Sequence, residues 1–121
     1  MIAQVNVSPN YRSLYFVLLN ALEQAANGKG KDRHQKNNEP FEEQPICSIA
    51  RRVGIGFPLG QAMKKIDEAA RMEQEAAVNE LLGAINYLAA AVIVLRELSE
   101  TKPLTVDPPV PPGLMSIMGE K

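Results

Sequence analysis

The sequence contains no tryptophan, one cysteine and one histidine among its 121 residues. The lone Cys47 excludes an intrachain disulfide, and with His34 as the only histidine the chain lacks the several ligands that a zinc site needs. Aromatic residues make up only 5% of the chain, which leaves little for the packing of a β-rich core. These scarcities favour a helical protein of the reducing cytoplasm, without a bound metal and with Cys47 as a buried, inert thiol.

Strong charge of either sign is also missing, since the formal net charge is −1. This balance argues against long nucleic acid and anionic membrane as partners. The distribution is uneven, because residues 29–71 hold nine of the thirteen basic side chains but only six acidic ones. A compact anion such as a nucleotide fits this locally basic stretch, although solvated helix faces can produce the same asymmetry.

Helix-starting prolines and helix-ending glycines predict an all-α fold, a small helical domain built on a helical hairpin. Ser8-Pro9 opens the first helix and Gly28 ends it, while Pro45 opens a short helix that Gly54 ends. The predicted helices run from about Pro9 to Asn27, from Pro45 to Gly54, from Pro58 to Met72, and from about Glu73–Ala76 to Glu100. Residues 1–102 form the expected domain, with a mobile basic loop at 28–44 and a proline-rich tail at 103–121.

Apolar residues at spacings of three and four predict which helix faces are buried. The first helix has such a stripe at Tyr11, Leu14, Tyr15, Leu18, Leu22 and Ala25. The short helix has one at Ile46, Ile49, Ala50 and Val53, and the third helix has one at Leu59, Ala62, Met63, Ile66 and Ala70.

The stretch Leu81–Leu95 contains a single strongly polar residue, Asn86. It is shorter than the roughly 17 to 25 residues of a membrane span, so we expect a helix buried nearly all round. The small residues of this stretch would let another backbone approach closely: Gly83, Ala84, Ala90 and Ala91. Because three other helices cannot cover it, the sequence predicts a homo-oligomer.

Five of the nine prolines fall between Pro103 and Pro112. Such a segment cannot be helical and favours an extended, polyproline-like chain. Disorder of this tail and docking on a neighbouring subunit both remain open.

Groups suited to binding a phosphate are concentrated between the second and third predicted helices. The turn Gly54–Gly60 offers backbone amides and a helix N-terminus, and Lys64 follows one turn later. An ion pair of Lys64 with Glu68 is the structural alternative. The candidate ligand-binding residues are Arg33, His34, Lys36, Arg51, Arg52, Phe57, Gln61, Lys64, Lys65, Asn86 and Tyr87, with the two rings available to stack a base.

Two segments resemble a small phage family that includes the nucleotide kinase of T-odd phages. That family's pattern, Gly-Asn-x-x-Lys-Tyr followed by Asp-Leu-x-Lys-Ala-x-x-Tyr-Leu, is similar to residues 60–65 and 80–88 here, within a match over about residues 34–95. Lys64, Ala84, Tyr87 and Leu88 agree with it. The resemblance implies a phage or prophage origin, a multimeric helical assembly and affinity for nucleotides, whereas glycine in place of lysine at position 83 argues against phosphoryl transfer.

The leading functional hypothesis is therefore a protein that binds or sequesters a phosphorylated nucleotide, including a cyclic one, without turning it over. A sponge that counters host defence would act in this way. One alternative is a nucleotide kinase or phosphohydrolase, which would need Mg²⁺ and for which only Glu97 and Glu100 offer a suitable acidic pair. The other is a structural or protein-interaction oligomer.

Overall fold

The computed structural model describes residues 6–28 and 39–99, and this part of the chain is all-α, as predicted. Its four helices are α1 (Arg12–Asn27), α2 (Pro45–Val53), α3 (Gly56–Ala69) and α4 (Gln74–Ser99). Short 3₁₀ turns, Pro9–Tyr11 and Phe41–Glu43, precede α1 and α2. Most of the predicted loop and the whole predicted tail lie outside the described residues.

The helix ends follow the predicted starting and stopping residues closely. The Ser8 hydroxyl accepts a hydrogen bond from the backbone N–H of Asn10 at 3.2 Å and so caps the first turn. Gly54 ends α2 with φ of 103°, a left-handed conformation that favours glycine over every other residue. Two helices depart by a few residues: α1 begins at Arg12, after the 3₁₀ turn at the predicted start, and α3 begins at Gly56 and ends at Ala69, both earlier in the chain than predicted.

The core lies where α2 and α3 pack against one side of α4. Its buried members are small apart from Ile46, Tyr87 and Val94: the others are Cys47, Ala50, Ala62, Ala84 and Ala90. Phe41, Ile55, Phe57 and Ile93 pack against this cluster from its edges. Alanine-rich faces let neighbouring helix axes approach closely, because no long side chains separate the backbones.

Within one protomer α4 is buried on one face only, so its burial nearly all round, which required an assembly, stays a prediction. Its buried face carries Gly83, Ala84, Tyr87, Ala90, Ala91 and Val94, whereas Leu81, Leu88, Val92 and Leu95 remain exposed. The small residues that we assigned to contact with another subunit therefore pack within the protomer. Within residues 6–28 and 39–99, the other helices do not cover these larger residues.

The predicted buried face of α3 is also mostly wrong. Ala62 is buried, but Leu59, Met63, Ile66 and Ala70 are exposed, and Pro58 and Ala69 are buried in their place. In α2, Ile46 and Ala50 are buried as predicted, Ile49 is half-buried and Val53 is exposed. The buried side of α3 is thus the side with small residues.

The largest departure concerns α1, whose predicted stripe is not buried. Ala21 is the one buried residue of this helix. The stripe residues Tyr11, Leu14, Tyr15, Leu18 and Leu22 are all exposed, and Ala25 is half-buried. The Asn86 side-chain N–H donates to the Ala21 carbonyl at 3.0 Å, and Gln24 donates to the Asn79 carbonyl at 3.0 Å, so α1 runs antiparallel to α4.

By length and composition α4 could also cross a membrane, since its 26 residues include an 18-residue window with a mean hydropathy of 1.8. The stretch Leu81–Leu95 is only part of α4, so the predicted apolar length was too short for a span whereas the whole helix is long enough. The same properties occur in core helices of soluble proteins, and one face of α4 forms the core here.

Candidate functional site

Arg51, one of the predicted phosphate ligands, joins three elements of the fold. Its Nε donates to Glu97 Oε1 at 2.7 Å and its Nη2 donates to Glu97 Oε2 at 2.9 Å. The same Nη2 also donates to the carbonyl oxygen of Glu42. The forked hydrogen bond lowers the pKa of Glu97 and raises that of Arg51. Arg51 thus fastens the end of α2 to the last turns of α4, while its neighbour Arg52 is exposed.

Lys65, Phe57 and Tyr87 come together where α3 packs on α4. The Lys65 ammonium lies 3.5 Å from Glu80 Oε2 and 5.9 Å from the centroid of the Tyr87 ring. The Phe57 and Tyr87 rings meet edge to face, with their centroids 6.0 Å apart. The Lys65 side chain is only 17% exposed, so this cation is partly desolvated. Gln61 lies half-buried one helical turn before Lys65.

Gly83 provides the space in which Lys65 lies. A β-carbon at position 83 would lie 3.2 Å from both Cδ and Cε of Lys65, a tight contact. The resembling phage pattern has lysine at position 83 and tyrosine at position 65.

Lys64 pairs with Glu68 at 3.2 Å, as the structural alternative for this residue predicted. This hydrogen bond is the main reason that the pKa of Glu68 is lowered. The adjacent Lys65 pairs with Glu80, so Lys64 lies toward the Glu80 end of α4, whereas Arg51 pairs with Glu97 at the other end. The helical rise between those two glutamates is about 25 Å, so the structure does not bring Lys64 and Arg51 to one phosphate.

An apolar cleft of about 490 Å³ separates α1 from α4 and was not predicted. It is lined mainly by Leu18, Leu22, Ala25, Phe41, Ile85 and Ile93. Two amide side chains, Asn86 and Gln44, supply its polar groups. Asn86, a predicted ligand residue, thus faces this cleft and not the Lys65 cluster. In the sequence, the apolar stripe of α1 was the feature that could have indicated the cleft, but it was interpreted as a face buried in the core.

Cys47 is fully buried, and burial raises the pKa of its thiol. This is the environment of an inert cysteine, as the sequence analysis expected. Within residues 6–28 and 39–99, no cluster of three or more histidine, cysteine or acidic residues is suited to a metal ion.

The remaining candidates, Arg33, His34 and Lys36, lie outside the described residues. Comparisons with family models, with curated proteins and with solved structures gave no match to this chain. The resemblance to the phage family therefore stays a prediction that rests on the residues quoted above.

Proposed function

We propose that this protein is a self-associating helical module, and that assembly into a homo-oligomer is the basis of its function. One observation carries the proposal: α1 buries a single residue within the protomer, Ala21, while most of its large apolar side chains remain exposed. Contiguous exposed apolar surface of this kind marks an interaction site in soluble proteins.

The free energy of association depends on how much apolar area a partner would cover. Full burial of a leucine or valine side chain contributes about 1.5 to 3 kcal/mol, so covering one that is half-exposed contributes about 1 kcal/mol. α1 and the outer side of α4 together carry many such residues, including Leu14, Leu18, Leu22, Leu88 and Leu95. On two copies, covering these five residues would contribute about 10 kcal/mol toward association, against a cost of about 4 to 15 kcal/mol in lost translational and rotational freedom.

A protein partner fits this surface better than a lipid surface does. Helices that lie on membranes combine an apolar face with a polar face rich in lysine and arginine. The charged residues of α1 are Arg12 and Glu23 alone, and the exposed apolar residues continue round the helix at Phe16, Val17 and Leu19. A second copy of the chain offers a matching apolar surface.

Sedimentation equilibrium of the full chain at micromolar concentration tests this proposal. We expect a mass that is a multiple of the protomer mass. Glutamate at Leu18 and Leu22 together should reduce the mass to that of the protomer, because an unpaired charge is costly at a buried interface. Arg52→Glu, at an exposed position on α2, is the control that should leave the mass unchanged. A well-folded wild-type monomer would exclude the proposal.

A second function, nucleotide binding, is favoured by the arrangement of Lys65, Tyr87 and Phe57. This is the one place among the described residues where a predicted cation lies against predicted aromatic rings. A phosphate would exchange the Glu80 contact of Lys65 for its own, and a base would stack on the half-buried ring of Phe57. Lys65 is therefore a better candidate for the phosphate contact than Lys64, although the sequence pattern favoured Lys64.

Calorimetric titration with mono-, di- and cyclic nucleotides distinguishes these residues. A charge-assisted contact is worth about 1.5 to 3 kcal/mol, so Lys65→Gln should weaken binding by roughly tenfold or more. Lys64→Gln on the exposed side of α3 is the matched control and should bind like the wild type. Absence of binding tighter than millimolar would exclude this function, and turnover with added Mg²⁺ would indicate an enzyme.

A further inference from the structure

We infer that two copies of this chain associate through antiparallel α1 helices, with the first half of each α1 inserted in the α1–α4 cleft of the other copy. This inference rests on the proposed self-association and names the surface and the geometry that perform it. The occupant of the cleft is thus the tyrosine-bearing turn and first half of α1, Pro9 to Leu18, from a second copy.

The apolar stripe of α1 is longer than the cleft beside it. Leu18, Leu22 and Ala25 line the cleft. By helical spacing, Tyr11, Leu14 and Tyr15 continue the same face toward the N-terminus, and all three are exposed. Each copy therefore has a cleft on the second half of the stripe and uncovered side chains on the first half. An antiparallel pair fills the cleft of each copy with the uncovered side chains of the other, because a two-fold interface uses the same patch on both copies.

The polar groups of the cleft match the side chains that would enter it. Asn86 and Gln44 each donate through the side-chain nitrogen to a backbone carbonyl, of Ala21 and Glu39 respectively. No donor within the described residues reaches the side-chain oxygens of these two amides. A buried tyrosine hydroxyl usually needs a hydrogen-bond partner, and Tyr11 and Tyr15 both belong to the half of the stripe that enters the cleft.

The charges of α1 select the antiparallel orientation. Arg12 lies near the start of the helix and Glu23 near its end, and by helical spacing both flank the stripe on the same edge. Antiparallel helices bring Arg12 of one copy beside Glu23 of the other on that edge. Parallel helices would instead place the charged edges of the two copies on opposite flanks of the interface, where Arg12 meets no opposite charge.

The area is sufficient for a specific contact. The exposed parts of the five stripe residues from Tyr11 to Leu22 amount to on the order of 500 Å² per copy, given that an aromatic side chain buries ~150 to 250 Å² when fully covered. A pair of copies then buries about 1,000 Å², the lower bound for a specific interface, before the rim of the cleft at Phe41 and Ile93 is counted.

Disulfide trapping in the full chain tests the geometry, because native Cys47 is fully buried and out of reach of an oxidant. The two-fold axis passes near Leu18, which therefore faces itself, while Leu14 faces Leu22 of the second copy. We expect Leu18→Cys to form a covalent dimer on mild oxidation. Phe16→Cys is the matched control, since its exposure is 51% against 49% at Leu18 but it lies on the other side of α1.

A second experiment keeps the inference testable if Leu18→Cys folds poorly. Leu14→Cys and Leu22→Cys should each remain uncrosslinked alone and form a heterodimer when the two proteins are mixed. A self-linked Leu14→Cys dimer, or Phe16→Cys linking as fast as Leu18→Cys, would overturn the antiparallel arrangement while leaving self-association intact. A wild-type protein that sediments as a monomer would exclude the proposed function itself.

Discussion

The forked contact between Arg51 and Glu97 gives a prediction whose size can be worked out from the structure. Both side chains are more than a third exposed, so solvent screens the pair, and an ordinary surface pair would contribute about 0.2 to 1 kcal/mol. The two hydrogen bonds of 2.7 and 2.9 Å and the extra contact to the Glu42 carbonyl place this pair at the upper end. We therefore expect Glu97→Gln to lower the free energy of unfolding by about 1 kcal/mol at neutral pH.

The pH dependence of this loss has a definite sign. Arg51 lowers the pKa of Glu97 in the folded protein relative to the unfolded chain, so the contribution is complete above the ordinary glutamate pKa and is lost as the pH falls through the lowered value. The wild type and Glu97→Gln should therefore differ at pH 7 and converge once the pH falls below the lowered pKa of Glu97. A difference that grows toward acid would contradict the assignment.

Urea unfolding at fixed protein concentration measures this effect, since the stability of an oligomer depends on concentration. A double-mutant cycle with Arg51→Ala and Glu97→Gln should give a coupling of about 1 kcal/mol, and Arg52→Ala is the control on the same helix. A coupling below about 0.2 kcal/mol, or an equal loss from Arg52→Ala, would refute a structural role for Arg51. It would also return Arg51 to the set of candidate phosphate ligands.

Three further predictions follow from the packing of α4 and α2. Ala90→Glu should prevent folding, because it buries a charge in the core. Leu88→Glu, at a position 44% exposed, should keep the helical circular dichroism spectrum of the wild type. Equal spectra for the two variants would contradict the assigned faces of α4. Gly83→Ala should change the free energy of unfolding by less than about 1 kcal/mol, because the gain in helix propensity is opposed by the cost of displacing the Lys65 side chain. A large loss of stability in urea unfolding would show that this side chain cannot move. Cys47 should react with a thiol reagent only after denaturation, and rapid labelling of the native protein would show that α2 opens.

The sequence predicted the helices well because local chemistry decides where helices begin and end. Ser8, Pro45 and Gly54 act through their own backbone and capping preferences, which depend little on the rest of the fold. Distant pairs could not be predicted in this way. Arg51 and Glu97 belong to different helices, and nothing local to either residue indicates that a guanidinium and a carboxylate meet there.

Burial was predicted poorly because helical spacing shows which side chains share a face but not whether another element covers that face. The stripe of α1 at Leu14, Leu18 and Leu22 has the spacing of a core face and yet remains open beside the cleft. Met63, 68% exposed, belongs to a similar stripe on α3. A chain that assembles with copies of itself can carry core-like stripes on surfaces that its own helices never reach.

The two sides of α4 suggest how the chain divides its apolar residues between folding and assembly. Small residues such as Ala84 and Ala90 face α2 and α3, and the tight space at Gly83 shows how closely α3 approaches. That packing stabilises the protomer with little apolar area. The larger residues Leu81, Leu88 and Leu95 lie outside it, where covering them contributes nothing to the isolated chain and much to contact with another molecule. The outer side of α4 is thus a second exposed apolar surface, separate from the stripe on α1, that the proposed assembly would cover.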